Sequence, residues 1–281
     1  METILSSTGK RVVIASYGPF VMIGERINPT GRERLARSLA RGDTSLAVRE
    51  AQAQVEAGAQ VIDINVSAAE VEEREALPLA VQAVAEAVDV PLSIDTSDAQ
   101  ALAAALAVCS GKPLVNSVTG EEKALEAILP LVKERGAAVV GLCMDEEGIP
   151  SQALRRVEIA QKILARAEKW GIAPEDVIID PLAMSVGADS RAALVTLETI
   201  RLLAQNLGVN VIVAASNVSF GLPERPLLNA TFLAMAISQG LTCALVNPLD
   251  VEIRKAILAG ELLTGRDEFA MGYLSRYRTG W

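Results

Sequence analysis

The sequence contains no histidine. Histidine is the commonest general base and a frequent ligand of transition metals. Its absence excludes Ser–His and Cys–His nucleophilic systems as well as every His-ligated metal site. Any chemistry in this protein therefore uses Asp, Glu, Asn, Arg, Ser or bound water.

The chain is also short of positive charge. Its 26 Lys and Arg residues against 35 Asp and Glu leave a formal net charge of -9. Nucleic acid is not an expected partner, because phosphate contacts need clustered cations. The three cysteines (Cys109, Cys143 and Cys243) are widely separated and show no CxxC spacing. This pattern predicts neither a disulfide framework nor a zinc site, and we expect no bound metal.

Long apolar runs and targeting signals are absent too. No stretch reaches 18 uncharged apolar residues, so no membrane span is predicted. The N-terminal segment lacks the basic-then-apolar order of a signal peptide, which makes the cytoplasm the expected location. Neither a GxxxxGK[ST] loop nor a GxGxxG turn after a strand is present, so the sequence predicts no nucleotide-phosphate site.

What the chain does have is Ala, Val, Leu and Ile. Hydrophobic residues make up 51% of the sequence but aromatic residues only 3%. This composition suits parallel strands that are buried on both faces. Strand-length apolar runs occur eight times. They are Phe20–Ile27, Val61–Val66, Val90–Asp95, Leu114–Val118, Ala138–Met144, Val177–Leu182, Asn210–Ala215 and Cys243–Val246.

The segments between these runs have helical periodicity. In 155–170, for example, Val157, Ala160 and Ile163 share one face. Several of these segments end at a glycine, which tolerates the left-handed conformation that terminates a helix. The predicted terminating glycines are Gly58, Gly136, Gly171, Gly208 and Gly240.

Strict βα alternation, repeated eight times, predicts a single (β/α)8 TIM barrel over residues 1–281. The 281 residues are close to the roughly 250 typical of this fold. A doubly wound open sheet is the alternative. Residues 1–19 are expected to form an extension at the barrel bottom, with a short strand at Arg11–Ala15. Residues 251–281 are expected to form a C-terminal helical segment.

Polar residues occur at the ends of nearly all predicted strands, where TIM barrels place their active sites. We call this set the polar ring. It comprises Glu25, Arg26, Asn28, Asp63, Asn65, Asp95, Asn116, Asp180, Ser216, Asn217 and Asn247. The fifth strand differs, because it ends in Cys143 and Met144.

Helix capping is the structural alternative for any one of these residues. However, Ser97 and Asp98 are better placed than Asp95 to cap the next helix, and Asp180 lies too far from its helix. Burying so many polar groups without partners is costly, which favours a ligand site. Carboxylates and amides with few cations match a flat, nitrogen-rich heterocycle such as a pterin.

Several ordered motifs carry a family resemblance across about residues 20–250. They are Ile23-Gly24-Glu25-Arg26-Ile27-Asn28, Asp63-Ile64-Asn65-Val66, Ser93-Ile94-Asp95, Val115-Asn116-Ser117, Asp180-Pro181-Leu182, Ser216-Asn217-Val218-Ser219 and Arg225-Pro226-Leu227-Leu228-Asn229. With them the chain resembles the pterin-binding methyltransferases that act between methyltetrahydrofolate and a corrinoid protein. The folate module of cobalamin-dependent methionine synthase and dihydropteroate synthase are related.

The resemblance implies roles for individual residues. Asp95, Asn116 and Asp180 would bind the pterin ring, and Asn217 would lie beside the methyl-bearing nitrogen. We hypothesise that Asn217 donates a hydrogen bond to this nitrogen and that Asp180 relays the proton. The other residues expected to contribute to the pterin pocket are Asp63, Asn65, Glu25, Asn28, Met144, Ser216 and Arg225.

The implied reaction moves the methyl group of 5-methyltetrahydrofolate to or from the cobalt of a corrinoid protein. The resemblance also implies a homodimer. Cys143 is expected to be a buried, inert thiol rather than a reactive one, and Met144 either packs or contacts the pterin or the partner. The Ala214-Ala215 pair before Ser216 departs from the glycine expected in the family, which affects the fine geometry of the pocket.

Two other functions are alternatives. A dihydropteroate synthase-like enzyme would need cations for a diphosphate leaving group, and these are missing after the seventh and eighth strands. A non-catalytic folate-binding subunit of a corrinoid methyltransferase complex would have the same pocket as an enzyme.

Overall fold

The computed structural model describes residues 1–279. The strands are β1 (Glu2–Ser6), β2 (Arg11–Ala15), β3 (Val21–Ile27), β4 (Val61–Asn65), β5 (Leu92–Asp95), β6 (Leu114–Thr119), β7 (Ala138–Leu142), β8 (Val177–Asp180), β9 (Ile212–Ala214) and β10 (Cys243–Val246). The helices are α1 (Glu33–Leu39), α2 (Ser45–Glu56), α3 (Glu73–Ala87), α4 (Ala99–Val108), α5 (Glu122–Arg135), α6 (Ala153–Lys169), α7 (Ala192–Leu202), α8 (Arg225–Ser238), α9 (Val251–Leu263) and α10 (Met271–Thr279).

Strands β3 to β10 form the predicted eight-stranded parallel barrel. Their hydrogen-bonded order is β8-β7-β6-β5-β4-β3-β10-β9. A bridge between Ile179 of β8 and Val211, just before β9, connects the two ends of this order. The Ile179 amide also donates to the Asn210 carbonyl over 3.0 Å. The TIM-barrel prediction is therefore confirmed over the open sheet.

All eight predicted barrel strands are present, although most are shorter than predicted. The fifth predicted run begins where expected but ends at Leu142, because the Met144 amide turns back to the Leu142 carbonyl. The sixth run ends at Asp180, because Leu182 leaves the extended conformation with φ of 66°. Apolar composition locates a strand, whereas the ends depend on where the chain turns.

The helices pack their predicted apolar faces onto the barrel. Val157, Ala160 and Ile163 of α6 are buried. All five predicted terminating glycines have positive φ, for example 64° at Gly136 and 108° at Gly240. The first βα unit contains an additional short helix, α1, which the strand count did not reveal.

An antiparallel hairpin of β1 and β2 closes the bottom of the barrel. Thr3 donates to the Glu175 carbonyl over 2.5 Å and Asn210 donates to the Ile14 carbonyl over 2.8 Å, both at the amino ends of barrel strands. Leu5 and Ile14 of the hairpin join the apolar cluster in the barrel interior. The open end of the barrel is therefore the carboxyl end of its strands. Within the described residues, no helix is both long and apolar enough to cross a membrane.

Candidate functional site

The centre of the site is a hydrogen-bonded group on β4, β5 and β6. Asp63 is only 3% exposed, and its Oδ1 accepts hydrogen bonds from Ser93 Oγ at 2.6 Å and Asn116 Nδ2 at 3.1 Å. Parallel register brings these residues together, since Asp63 pairs with Ser93 and Asp95 pairs with Asn116. Three neighbouring strands therefore place one carboxyl and one amide predicted from the sequence in direct contact.

A second pair lies two residues farther along the strands, nearer the mouth. Asn65 Nδ2 donates to Asp95 Oδ2 over 3.0 Å, and the two residues are register partners on β4 and β5. The Asn65 Oδ1 accepts the Ser67 amide at 2.9 Å, so this carboxamide also shapes its own loop. Asn65 thus holds the Asp95 carboxyl in place.

Burial controls the acidity of this group. It raises the pKa of Asp95 to about 6, against the opposing hydrogen bond from Asn65. Burial also raises the pKa of Asp63 well above its ordinary value, and the neighbouring Asp95 charge adds to this effect. Two adjacent buried carboxyls resist carrying two negative charges at once. A ligand that donates N–H groups to them would relieve this repulsion.

Asp180 is the buried carboxyl on the other side of the barrel. It is 5% exposed, and its Oδ1 accepts the Leu182 amide at 2.7 Å. Burial raises the pKa of Asp180 to about 7, against the Leu182 N–H and the positive charge of Arg156. The Asp180 carbonyl accepts the Cys143 amide at 2.9 Å. Cys143 itself is fully buried, which raises the pKa of its thiol and makes it an inert residue.

Glu25 and Ser216 approach each other across β3 and the loop after β9. Ser216 Oγ donates to Glu25 Oε2 over 3.3 Å. Burial raises the pKa of Glu25 to about 7, while this hydrogen bond and the charges of Arg26 and Arg225 oppose the rise. Glu25 is thus, with Asp95 and Asp180, a third carboxyl group of the polar ring whose pKa lies close to neutral pH.

Arg225 contacts the loop after β9. Its Nε donates to Ser219 Oγ at 3.1 Å and its Nη2 to the Ser216 carbonyl at 2.8 Å. The guanidinium also lies 5.9 Å from the centre of the Phe220 ring. These contacts give Arg225 a role in shaping the loop that carries Ser216 and Asn217.

Among the described residues, four predicted residues have no hydrogen bond to a carboxyl group of the polar ring: Asn28, Met144, Asn217 and Arg225. Asn28 accepts the Thr30 amide at 2.9 Å and thereby forms a local turn. Met144 is half-buried after β7. Asn217 is exposed in the short helical turn Ala215–Ser219, which leaves its carboxamide available at the mouth.

Sequence reasoning missed Arg156. It is 3% exposed and donates to carbonyls of two βα loops. A signal was present, because position 156 falls on the buried stripe of α6. The buried residues of this helix are Ala153, Arg156, Val157, Ile159, Ala160, Ile163 and Ala167. An arginine on an apolar stripe indicates a buried cation, which needs a compensating group nearby.

The site offers hydrogen-bond acceptors and amide groups. Within residues 1–279, no group of three or more Asp, Glu or Cys side chains is placed to hold a metal ion. Buried carboxyls that alternate with carboxamides can bind the N–H groups of a flat heterocycle and exchange protons near neutral pH.

Comparison with known proteins identifies relatives along nearly the whole chain. The model of the family described as "Pterin binding enzyme" matches residues 24–247. The methylcorrinoid:tetrahydrofolate methyltransferase of Eubacterium limosum is 31% identical over 265 residues, which are 92% of this chain and 97% of that protein. The methionine synthase of Mycobacterium tuberculosis is 29% identical over 259 residues, which are 88% of this chain but only 22% of that protein.

Solved structures of dihydropteroate synthases share the fold. The enzyme from Yersinia pestis superposes with a TM-score of 0.70 at 20% identity, covering 94% of this chain and 100% of that chain. The Xanthomonas albilineans enzyme in complex with 7,8-dihydropteroate superposes with a TM-score of 0.70 at 21% identity, and the match covers 92% of this chain and 98% of that chain. At this identity the likeness shows the barrel architecture.

Proposed function

The chain belongs to the pterin-binding enzyme family, and from this premise we propose that it is a methyltransferase acting between 5-methyltetrahydrofolate and the cobalt of a corrinoid protein. The observation that carries the proposal is the Eubacterium limosum relative, whose similarity spans nearly the full length of both chains. Its name describes transfer from a methylcorrinoid to tetrahydrofolate. The methionine synthase relative supports the same pair of methyl carriers, although the chain matches about a fifth of that protein.

The carboxyl and amide groups at the carboxyl ends of the strands would bind the pterin. In the proposed pocket, Asp95, Asn116 and Asp180 contact the ring, and Asp63 and Asn65 hold the first two in place. The hydrogen bonds from Asn116 to Asp63 and from Asn65 to Asp95 support this division of roles. Binding a donor-rich ring compensates the buried carboxyls for their lost hydration.

The proposed chemistry uses Asn217 and Asp180. A nitrogen that loses its methyl group gains a proton, and one that receives a methyl group loses its proton. Asn217, exposed at the mouth, would donate a hydrogen bond that strengthens as charge develops on this nitrogen. Asp180, with a pKa of about 7, can give or accept the proton at neutral pH, which suits either direction of transfer.

The corrinoid would be supplied by a partner protein, and its cobalt would carry the methyl group to or from the folate. The corrinoid protein would reach the mouth of the barrel because the described βα loops are short. The longest of them connects Asp180 at the end of β8 to Ala192 at the start of α7. No step requires a metal held by this chain.

A dihydropteroate synthase-like activity is the main rival on the same fold. It would require cations near a diphosphate leaving group. The loops after β9 and β10 carry Ser216, Asn217 and Asn247, and the nearby Arg225 is engaged with Ser216 and Ser219. These contacts favour methyl transfer.

Stopped-flow spectroscopy tests the proposal. Cob(I)alamin would be mixed with 5-methyltetrahydrofolate, and methylcobalamin with tetrahydrofolate, with and without the protein. We expect the protein to accelerate the change in the cobalt spectrum in at least one direction. Folate binding without any acceleration would indicate a non-catalytic subunit, and formation of dihydropteroate from its two precursors would establish the rival enzyme.

We also propose a cytoplasmic homodimer. The three cysteines within the described residues are free and buried, which suits a reducing compartment. Leu194 of α7 and Leu227 of α8 are about 60% exposed apolar side chains on adjacent helices, a pattern that suits burial between subunits. Light scattering across a dilution series tests the dimer, and a single mass equal to that of one chain would contradict it.

A further inference from the structure

Arg156 is a cation buried beneath the mouth of the barrel. Its Nε donates to the Pro150 carbonyl at 2.8 Å, and its Nη1 donates to the carbonyls of Pro181 at 2.7 Å and Leu182 at 2.8 Å. One side chain of α6 therefore connects the loop after β7 to the loop after β8. Its neighbour Arg155 lies on the exposed face of the same helix and pairs with Asp145 and Glu158.

The segment that Arg156 holds is the turn that begins at Asp180. Leu182 has φ of 66°, a left-handed conformation that is strained for a side chain of this type. Its amide donates to Asp180 Oδ1, and its carbonyl accepts from both Arg156 and Thr196 Oγ1. The contacts of Arg156 therefore help to maintain the backbone that fixes the Asp180 carboxyl.

Among the described residues, the hydrogen-bond partners of Arg156 are three carbonyls and the Thr196 hydroxyl at 3.5 Å, and none of them is a carboxylate. A buried guanidinium without a countercharge is costly. The groups that interact with it electrostatically are Asp180 and the Cys143 thiol. Cys143 remains neutral because burial raises the pKa of its thiol, so Asp180 in its ionised form is the countercharge of Arg156.

We propose that Arg156 is a positioning residue of the methyl-transfer site, which acts through Asp180 by fixing the Asp180–Leu182 turn and by supplying the buried positive charge that favours the Asp180 carboxylate. The role in methyl transfer rests on the proposed function, whereas the coupling to Asp180 does not. Within the part of the chain that the structure describes, the titratable groups that face Asp180 are Arg156 from α6, Cys143 after β7 and Cys243 from β10. The last two are buried thiols with raised pKa values, so Arg156 is the charged one.

A carbon-13 NMR titration of the Asp180 carboxyl in the folate-free protein tests the coupling, with the signal assigned through Asp180→Asn. Arg156→Met keeps the aliphatic stem but removes the charge, and we expect the midpoint to rise by about one pH unit or more. Arg156→Lys keeps the charge, and we expect it to shift the Asp180 midpoint by less than half as much as Arg156→Met does. Arg155→Met, the matched control on the exposed face, should leave it unchanged. An unshifted midpoint in Arg156→Met would overturn the proposal.

Tetrahydrofolate affinity, measured from about pH 6 to about pH 9, tests the consequence for the site. Arg156→Met should bind about tenfold more weakly near pH 7 and recover as the pH rises, because higher pH restores the carboxylate. In the Asp180→Asn background the same substitution should have little effect. An equal loss at every pH and in both backgrounds would reduce Arg156 to a purely structural residue.

The two arms separate the possible failures. A shifted Asp180 midpoint without folate binding would contradict the proposed function alone, while methyl transfer with an unshifted midpoint would contradict this inference alone. If Arg156→Met does not fold, Arg156→Gln takes its place in the titration, because it removes the charge but keeps an amide donor for the loop carbonyls. An unshifted Asp180 midpoint in Arg156→Gln would then overturn the proposal.

Discussion

Asn116 donates a side-chain hydrogen bond to Asp63 over 3.1 Å, although the two residues lie 53 positions apart and on strands separated by β5. Both side chains are buried, with 8% exposure for Asn116 and 3% for Asp63. Ser93, on the intervening strand β5, also donates a hydrogen bond to Asp63. This relationship makes the floor of the site a single polar unit, whose members depend on one another.

Substituting Asn116→Leu should therefore weaken both folding and binding. The change leaves one bond to the buried Asp63 carboxyl unmade, which costs about 1–3 kcal/mol in the free energy of unfolding. Urea unfolding would measure this loss, and titration with tetrahydrofolate would measure the loss of affinity. Asn206→Ala, at an exposed position after α7, is the control and should change neither quantity. Full stability in Asn116→Leu would show that the bond is dispensable.

Asn217→Ala tests the group proposed to face the reacting nitrogen. We expect the single-turnover methyl-transfer rate to fall about 10²–10³-fold, as for loss of one donor that acts on the transition state. Folate affinity should change much less, because Asn217 is exposed and, among the described residues, makes no hydrogen bond to the buried carboxyl groups of the polar ring. Rapid mixing under single-turnover conditions gives the rate. A weaker affinity with an unchanged rate would assign Asn217 to ground-state binding.

Asp180→Asn should stabilise the folate-free protein at pH 8. Burial raises the pKa of Asp180 to about 7, so its contribution to stability is fully present below the ordinary carboxyl pKa and is lost as the pH rises to 7. The raised pKa already includes the attraction of the Arg156 charge, so an amide still avoids this loss, and the gain at pH 8 is at most about 4 kcal/mol. Its Oδ1 can still accept the Leu182 amide. Thermal unfolding at pH 8 measures the gain, which should come with weaker folate binding.

Asp98 provides the control, because its pKa is shifted in the opposite direction to that of Asp180. Asp98 caps α4, and its hydrogen bonds from the Ala101 and Gln100 amides lower its pKa. Its contribution to stability is therefore present above the ordinary carboxyl pKa and is lost as the pH falls. Asp98→Asn should not stabilise the protein at pH 8. If both variants were stabilised equally, general charge reduction would explain the result for Asp180.

Gly24→Ala should disturb the strand that carries Glu25. A Cβ at position 24 would lie 2.5 Å from Gln54 Oε1 and 3.2 Å from Ile62 Cδ1. Gln54 is fully buried and its Oε1 accepts the Arg26 amide at 2.9 Å, so it has little freedom to move. Overpacking of this kind costs about 1–3 kcal/mol.

Denaturant unfolding of Gly24→Ala and Gly18→Ala provides the comparison. The Cβ at position 18 would meet its nearest atom, the Ala15 carbonyl oxygen, at 3.7 Å, which is ordinary contact. Gly18→Ala should therefore be nearly neutral. Equal stability of the two variants would show that the space beside Gln54 can adapt.

Local sequence patterns determined the barrel, because they need only nearby residues. Alternation of short apolar runs with amphipathic segments predicted eight strands, and glycine positions predicted where five helices end. The resemblance added the family and its chemistry through ordered motifs between Ile23 and Asn229. The polar ring also followed from position alone, since the strands of a parallel barrel end on one face.

Only the tertiary structure decided how the ring is divided. Asn65 and Asp95 meet because they are register partners, and no spacing in the sequence states that register. Asn28 and Asn247 instead accept amides two residues ahead and shape their own loops. Arg156 became the countercharge of Asp180 because α6 packs its apolar stripe inward. Periodicity records which face a side chain occupies, whereas its partners depend on strand stagger and helix packing, which the folded chain alone establishes.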